Sequence, residues 1–265
     1  MWVARTAHAT GMPRPAARAY GRASIVVSRE QPDCHVGWPT IAGIGSVESD
    51  HGRHDGARLR ADGRPWPRIV GPALDGTNGT EAIPASADSE FFHGDDDWDH
   101  AVGPMQFIPS TWESSGVDGD GDGDADPQNV YDAAASAAGY LCADGRDMAD
   151  AGGRRAAILS YNQSDEYVRT VIGWQTYFAT YGIEAIGQTA GYVPNAPADD
   201  APTTRDEERP TTSPRCPNHA AKRPATGTTM KPKPTSATMP ATTSAICATI
   251  IVAARPGRAC PTSNR

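Results

Sequence analysis

Residues 117–132 read VDGDGDGDADPQNVYD, with an aspartate at every second position and glycine in most of the gaps. An EF-hand calcium loop takes oxygen ligands at positions 1, 3, 5 and 7, a glycine at 6 and a bidentate glutamate at 12. Asp118, Asp120 and Asp122 fill the first three places, and Gly123 stands where the sharp turn must be. Position 12 is Asn129, which is neutral, and the next carboxylate after Asp126 is Asp132. The front half of the loop suits a hard cation and the closing half is displaced by about one helical turn.

Glu48 is the second candidate. In WPTIAGIGSVES, Trp38, Ile41, Ile44, Gly45 and Glu48 fall on one helical face. A carboxyl at the end of an apolar face is drawn inward, and desolvation raises its pKa toward that of a general acid. The competing reading is a frayed helix end with Glu48 in solvent. Glu48, His51 and His54 also suggest a metal set, but no second EXXH follows and the leading histidine of HEXXH is missing. His51 and His54 therefore read as surface residues of a polar loop. No GXSXG elbow is present, GIGSVE lacks the third glycine of a dinucleotide loop, and five cysteines without a CXXC give no zinc ribbon. Acid–base chemistry at Glu48 remains, beside an aspartate loop of structural character.

The elements that must position these groups read as helices. The 265 residues carry 24 basic and 32 acidic side chains, a net charge of −8. From Ala198 onward there are ten Lys/Arg and five Asp/Glu, so the preceding part holds fourteen basic against twenty-seven acidic residues. So acidic a body excludes nucleic acid as a partner class. Residues 193–265 are rich in Pro and Thr and read as a disordered basic tail. Residues 1–31 read as an N-terminal helix and extension, with the helix near 15–31. Residues 32–192, about 160, suffice for one core. Within them the pattern predicts helices over 38–49, from Pro109 to Gly116, from an Asp126-Pro127 start to Cys142, and in GRRAAILSYN and DEYVRTVIGWQTYFATY. Residues 50–99 sustain no strand alternation and read as a long irregular loop.

AICATIIVAA, near the C-terminus, is too short to span a bilayer, and the N-terminal arginines precede no apolar core of signal-peptide length. Cys216, Cys247 and Cys260 lie in the tail. Cys34 and Cys142 each flank a predicted helix, and either a disulfide in an oxidising compartment or two buried thiols accounts for them.

Five stretches, GIGSVESDHGRH, IVGPALDGTNG, DWDHAVGPMQFIPSTW, DGDGDGDADPQNVYDAA and AAILSYNQSDEYV, together resemble, in order, the lytic murein transglycosylases of the membrane-bound B type in their actinobacterial form. The resemblance covers roughly residues 32–181. It implies a mainly α-helical, lysozyme-like domain with long irregular loops and an EF-hand-like metal loop, which cleaves the MurNAc–GlcNAc bond of peptidoglycan. Glu48 matches that family's single catalytic acid/base. Gln106 and Phe107 match residues lining the sugar cleft, Tyr161 and Asn162 the YN pair near the glutamate, and Tyr167 a nearby aromatic. The family's calcium loop also closes late. The resemblance thus assigns side-chain ligands to Asp118, Asp120, Asp122 and Asp132, a backbone carbonyl to Asp124, and a bracing role to calcium. It implies a monomer acting on glycan strands outside the cell or in the wall, and a 1,6-anhydroMurNAc product. A muramidase on the same fold and a non-catalytic calcium-dependent wall-binding module are the alternatives. One departure stands out: the family's DTDGG-like stretch is replaced by ASADSEFFHGDDD.

Overall fold

The computed structural model describes residues 1–184 apart from Asn78, with the backbone alone for Ile183 and Glu184. The tail expected over 193–265 lies outside the described residues. The described residues fall within one compact unit and are mainly α-helical. The helices are α1 (Trp2–Thr10), α2 (Arg14–Glu30), α3 (Trp38–Ser49), α4 (Ala87–His93), α5 (Pro109–Ser115), α6 (Val130–Leu141), α7 (Ala151–Tyr161) and α8 (Asp165–Glu184). Two antiparallel pairs complete the unit: β1 (Arg58–Leu59) with β2 (Pro65–Trp66), and β3 (Val70–Ala73) with β4 (His100–Val102). No helix among the described residues is long and apolar enough to cross a membrane.

Small residues set how closely the helices approach. Ala133, Ala134, Ala137 and Ala138 of α6 are fully buried, and α2, which packs on α6, buries Ala16, Ala19 and Ala23. α3 packs on α8 through Gly43, where a Cβ would stand 2.9 Å from the Val171 carbonyl oxygen. On another face, Gly45 leaves room for Tyr20, whose hydroxyl would lie 2.2 Å from a Cβ there. Tyr20 is fully buried, so the core begins before Pro32, and residues 1–31 contribute to it directly. α1 docks through Trp2, which meets Trp38 edge-on at 5.4 Å and covers Gly21. Cys34 and Cys142 form a disulfide, tying the α2–α3 turn to the end of α6.

Two local expectations differ from the structure. α6 opens at Val130 instead of at Pro127. Asn129 caps it by accepting from the Tyr131 amide, while Asp126 is occupied by Arg64 and the Gln128 amide. Residues 50–99, read as irregular, carry three strands too short to show alternation, and also α4. Ser86 and Ser89 form a capping box at the start of α4.

Candidate active site

Glu48 lies in the last turn of α3, and that end of the helix is fastened at several points. Ser49 Oγ donates to the Pro104 carbonyl at 2.5 Å and accepts from the Gly52 amide at 2.8 Å. The chain then turns back through three left-handed residues, Asp50, His51 and Gly52, with φ of 50°, 59° and 82°. This turn carries His51 inside. It is 3 % exposed, its Nδ1 lies 3.1 Å from Tyr20 Oη, and burial pushes its pKa down to about 3. The surface placement expected for His51 is therefore corrected: this histidine is a neutral core residue. His54 stays at the surface beside Asp55.

The loop over residues 103–108 lies against this turn. Ser49 holds Pro104 from α3, and Tyr161 of α7 donates its hydroxyl to the Met105 carbonyl at 2.8 Å. Gln106 adopts φ 51°, a left-handed conformation uncommon for a side-chain-bearing residue. Its amide donates to the Gly103 and Ala101 carbonyls at 3.0 and 3.4 Å. Phe107 meets Trp112 and Tyr161 edge-on at 5.2 and 5.9 Å.

These contacts border an open pocket lined by Glu48, Gln106, Phe107, Ile108, Thr111, Tyr140, Ser160, Tyr161 and Asn162. Glu48, Gln106, Phe107, Tyr161 and Asn162 thus share one wall system. Tyr167 stands behind the pocket lining, and its phenol donates to Glu48 Oε1. Ile108, Thr111, Tyr140 and Ser160 are additional lining residues that sequence reasoning missed. Ser160 adjoins the YN pair, whereas Tyr140 follows no motif. Ser160 Oγ takes a bond from Arg146 at 2.5 Å, and Tyr140 donates to the Ser160 carbonyl at 2.9 Å.

Glu48 is partly accessible at the pocket yet surrounded by protein. Burial raises its pKa from 4.5 to about 7, against the opposing pull of the Tyr167 hydrogen bond. Among the described residues the lining contains no second carboxylate. Asp99 is buried elsewhere, against His93 at 3.2 Å, and Asp97 is exposed. The site therefore holds a single acid poised to give or take one proton near neutrality.

The aspartate loop gathers some of its expected ligands. Carboxylate oxygens of Asp118, Asp120 and Asp132 lie within 4.8 Å of one another. Asp132 is fully buried and accepts from the amides of Gly119, Asp120 and Asp126. Asp122 turns instead to Arg64 at 3.2 Å, and Asp124 is exposed. The loop abuts the pocket's scaffold. A Cβ on Gly103, at φ 77°, would stand 1.8 Å from the Pro127 carbonyl oxygen. Gln128 clasps Ile69, accepting its amide at 3.0 Å and donating to its carbonyl at 2.7 Å.

A helical domain that sets one desolvated carboxyl at the rim of an aromatic and amide-lined pocket is the class of site defined here. Residues 97–155 match a family model described as Transglycosylase SLT domain. The match spans the pocket loop, the aspartate loop and α6; Glu48, Tyr161, Asn162 and Tyr167 lie outside it. No curated protein matches the chain. Two solved structures of the Escherichia coli lytic transglycosylase SLT35, one in complex with bulgecin A and one with calcium, are similar at 16 % identity and TM-score 0.42. Each similarity covers 69 % of this chain and 79 % of that one, a likeness too loose to carry a function.

Burial of Glu48 has a signature in stability. A carboxyl whose pKa rises from 4.5 to about 7 on folding binds its proton more tightly in the native state. Its contribution is fully present below pH 4.5 and is lost as pH rises through 7. At about 1.4 kcal/mol per unit, wild type should fall behind Glu48→Gln by up to about 3 kcal/mol at pH 8, with no gap from this group at pH 4. Urea unfolding of both proteins at the two pH values checks this. A difference independent of pH would mean that Glu48 is solvated.

Proposed function

We propose that this chain is a lytic transglycosylase of the membrane-bound B type that cleaves the MurNAc-(1→4)-GlcNAc bond of peptidoglycan. The observation that carries the reading is the half-buried Glu48 at the pocket, hydrogen-bonded by Tyr167 and pushed up to about pKa 7 by burial, with no second carboxylate in the lining among the described residues. The family match over residues 97–155 supports the substrate class. Most glycosidases work with two carboxylates. A site with one must let the same group act twice.

Protonated Glu48 would give its proton to the glycosidic oxygen as the bond to the MurNAc anomeric carbon breaks. The substrate's own N-acetyl oxygen would stabilise the positive charge at that carbon. Glu48, now a carboxylate, would take the proton of the MurNAc 6-hydroxyl, whose oxygen closes on the anomeric carbon. The products are a 1,6-anhydro sugar and a free GlcNAc 4-hydroxyl, and no water is consumed. Tyr167 would hold the carboxyl in place through both transfers. Gln106 and Asn162 offer amides to the sugar's polar groups, and Phe107, Tyr140 and Tyr161 offer apolar ring edges. The first step needs the protonated acid, so activity should decline as pH rises through about 7.

Calcium fits the aspartate loop. Asp118, Asp120 and Asp132 supply hard oxygen donors within reach of one another, the donor type that calcium takes. Asp122 would join them on leaving Arg64, and Asp124 would add a backbone carbonyl. Bound there, calcium would neutralise the converging carboxylates and brace the loop without entering the reaction. The Cys34–Cys142 disulfide suits the oxidising side of a membrane, where peptidoglycan lies.

If calcium binds only the folded loop, it should raise the melting temperature. At a free concentration about a hundredfold above Kd the gain is about 2.7 kcal/mol. Asp120→Ala should remove most of the difference between calcium and chelator. Identical melting curves in both conditions for wild type would rule the ion out.

For the chemistry, Glu48→Gln should remain folded and lose turnover by more than the roughly 10²- to 10⁴-fold of a single acid–base role. Digests of purified peptidoglycan by wild type should contain 1,6-anhydroMurNAc, one water lighter than the hydrolytic product. Reducing-end MurNAc as the main product would favour a muramidase on the same scaffold. Undiminished turnover in Glu48→Gln would exclude both enzymes.

A further inference from the structure

Among the described residues, the pocket lining holds one carboxyl, Glu48, and neither lysine nor arginine. A cation stands directly behind it. Arg146 Nη1 donates to Ser160 Oγ at 2.5 Å, and Ser160 lines the pocket beside Tyr140, Tyr161 and Asn162. The Ser160 hydroxyl gives its own proton to the Ala157 carbonyl at 2.7 Å, so it meets the guanidinium as an acceptor. Arg146 Nη2 has one further partner, Asp144 Oδ2, at 3.1 Å.

A guanidinium carries five N–H groups in a planar fork. These bonds use two of the five, and the other three have no protein partner among the described residues. The Arg146 side chain is 14 % exposed, whereas that of Asp144 is 65 % exposed. An ion pair with so exposed a carboxylate contributes little and is readily exchanged. Unmet donors on a largely enclosed cation are costly, and a second carboxylate meets them best, because it accepts two parallel N–H bonds. The neighbouring arginines of α7 are engaged elsewhere, Arg154 with the Met148 carbonyl and Arg155 with Asp165.

The guanidinium is also held in place from both directions along the chain. Arg146 lies between α6 and α7, just past a short turn (Ala143–Gly145) in which Asp144 is left-handed at φ 60°. Before it, Cys142 is bound to Cys34 by the disulfide. After it, the Met148 amide donates to the Cys34 carbonyl at 2.6 Å, and Asp147 Oδ1 lies 2.8 Å from His35 Nδ1. Two consecutive residues of the α2–α3 turn thus anchor the segment on either side of Arg146. Tyr140 fixes Ser160 in turn, through the bond to its carbonyl. A donor fork placed in advance spares a ligand part of the ordering cost of binding.

We propose that Arg146 is a specificity-determining residue that draws a ligand carboxylate to the Ser160 side of the pocket. The chemistry of the ligand rests on the transglycosylase reading: the carboxylate is one borne by the muramyl residue, on its lactyl ether or on a peptide attached there. A neutral amino-sugar chain offers Arg146 no such group.

The experiment measures binding by calorimetry to the full chain carrying Glu48→Gln, which takes the pocket acid out of the comparison. Three glycans of equal length are used: a GlcNAc oligomer, a GlcNAc–MurNAc oligomer stripped of peptide, and the same oligomer with its peptides. The carboxylate-bearing glycans should bind more tightly than the neutral one. Adding Arg146→Gln should weaken them roughly 10- to 100-fold, the range of a hydrogen bond to a charged group, and leave the neutral oligomer unchanged. A loss shared by both carboxylate-bearing glycans assigns the lactyl group, and a loss confined to the third assigns the peptide. Equal weakening of all three would overturn the proposal, since Arg146 would then only brace Ser160, and so would no weakening at all. Should Arg146→Gln fail to fold, the Arg146 Nε–H signal in ¹⁵N NMR decides. It should shift with the carboxylate-bearing glycans and stay in place with the neutral oligomer, and any other pattern overturns the proposal. If none of the three glycans binds, the proposal and the transglycosylase reading fall together. If the preference holds while the unsubstituted chain cleaves no glycan, the proposed reaction alone falls.

Discussion

Removing a carboxyl group from water penalises its anion far more than its neutral form, and this asymmetry at Glu48 gives the rest of the structure its purpose. The group could have reached solvent easily, because it sits in the last turn of a helix. Close packing on several sides limits that access to the pocket. Gly43 brings α3 against the α8 backbone, and Gly45 admits the ring of Tyr20 against the next turn. Tyr167 then reaches the carboxyl from α8, limiting the pKa rise while fixing the group's orientation. Glycine at 43 and 45 costs some helix propensity, which the contacts at those two sites offset.

Gln106, Phe107 and Ile108 reach the pocket from a loop, which needs restraints that a helix would supply by itself. Ser49 and Tyr161 hold consecutive carbonyls of the 103–108 loop from two different helices. Gly103 touches the Pro127 carbonyl, and Gln128 brackets Ile69 just before β3. The aspartate loop is therefore coupled to the pocket by direct contact. Its repulsions are moderated by backbone amides and by Arg64, which reaches Asp122 and Asp126 from the β1–β2 turn.

How much of this could be read from the sequence depended on the range of the interactions. The apolar spacing from Trp38 to Ile44 marked one face of α3, whereas Thr40 through Gly45 are all buried and Glu48 itself is half-buried, so periodicity alone did not decide how Glu48 is placed. Pro109 and Gly116 bounded α5 for local reasons. His51 escaped because three consecutive left-handed residues return it to the core, and helical periodicity does not extend past the helix end. The start of α6 was misplaced because Asp126 looks like a cap, yet its carboxylate serves Arg64 and Gln128.

The central claim is that one carboxyl, protonated near neutral pH, commands the pocket. Its most direct test is the ionisation of that carboxyl in the resting protein. Titration of the Glu48 side-chain carbon by ¹³C NMR in the full chain should give a midpoint near 7, and Tyr167→Phe should move it higher, since the phenol stabilises the anion. A midpoint near the ordinary 4.5 of a solvated glutamate would contradict the account, because the pocket would then hold an anion where it needs an acid.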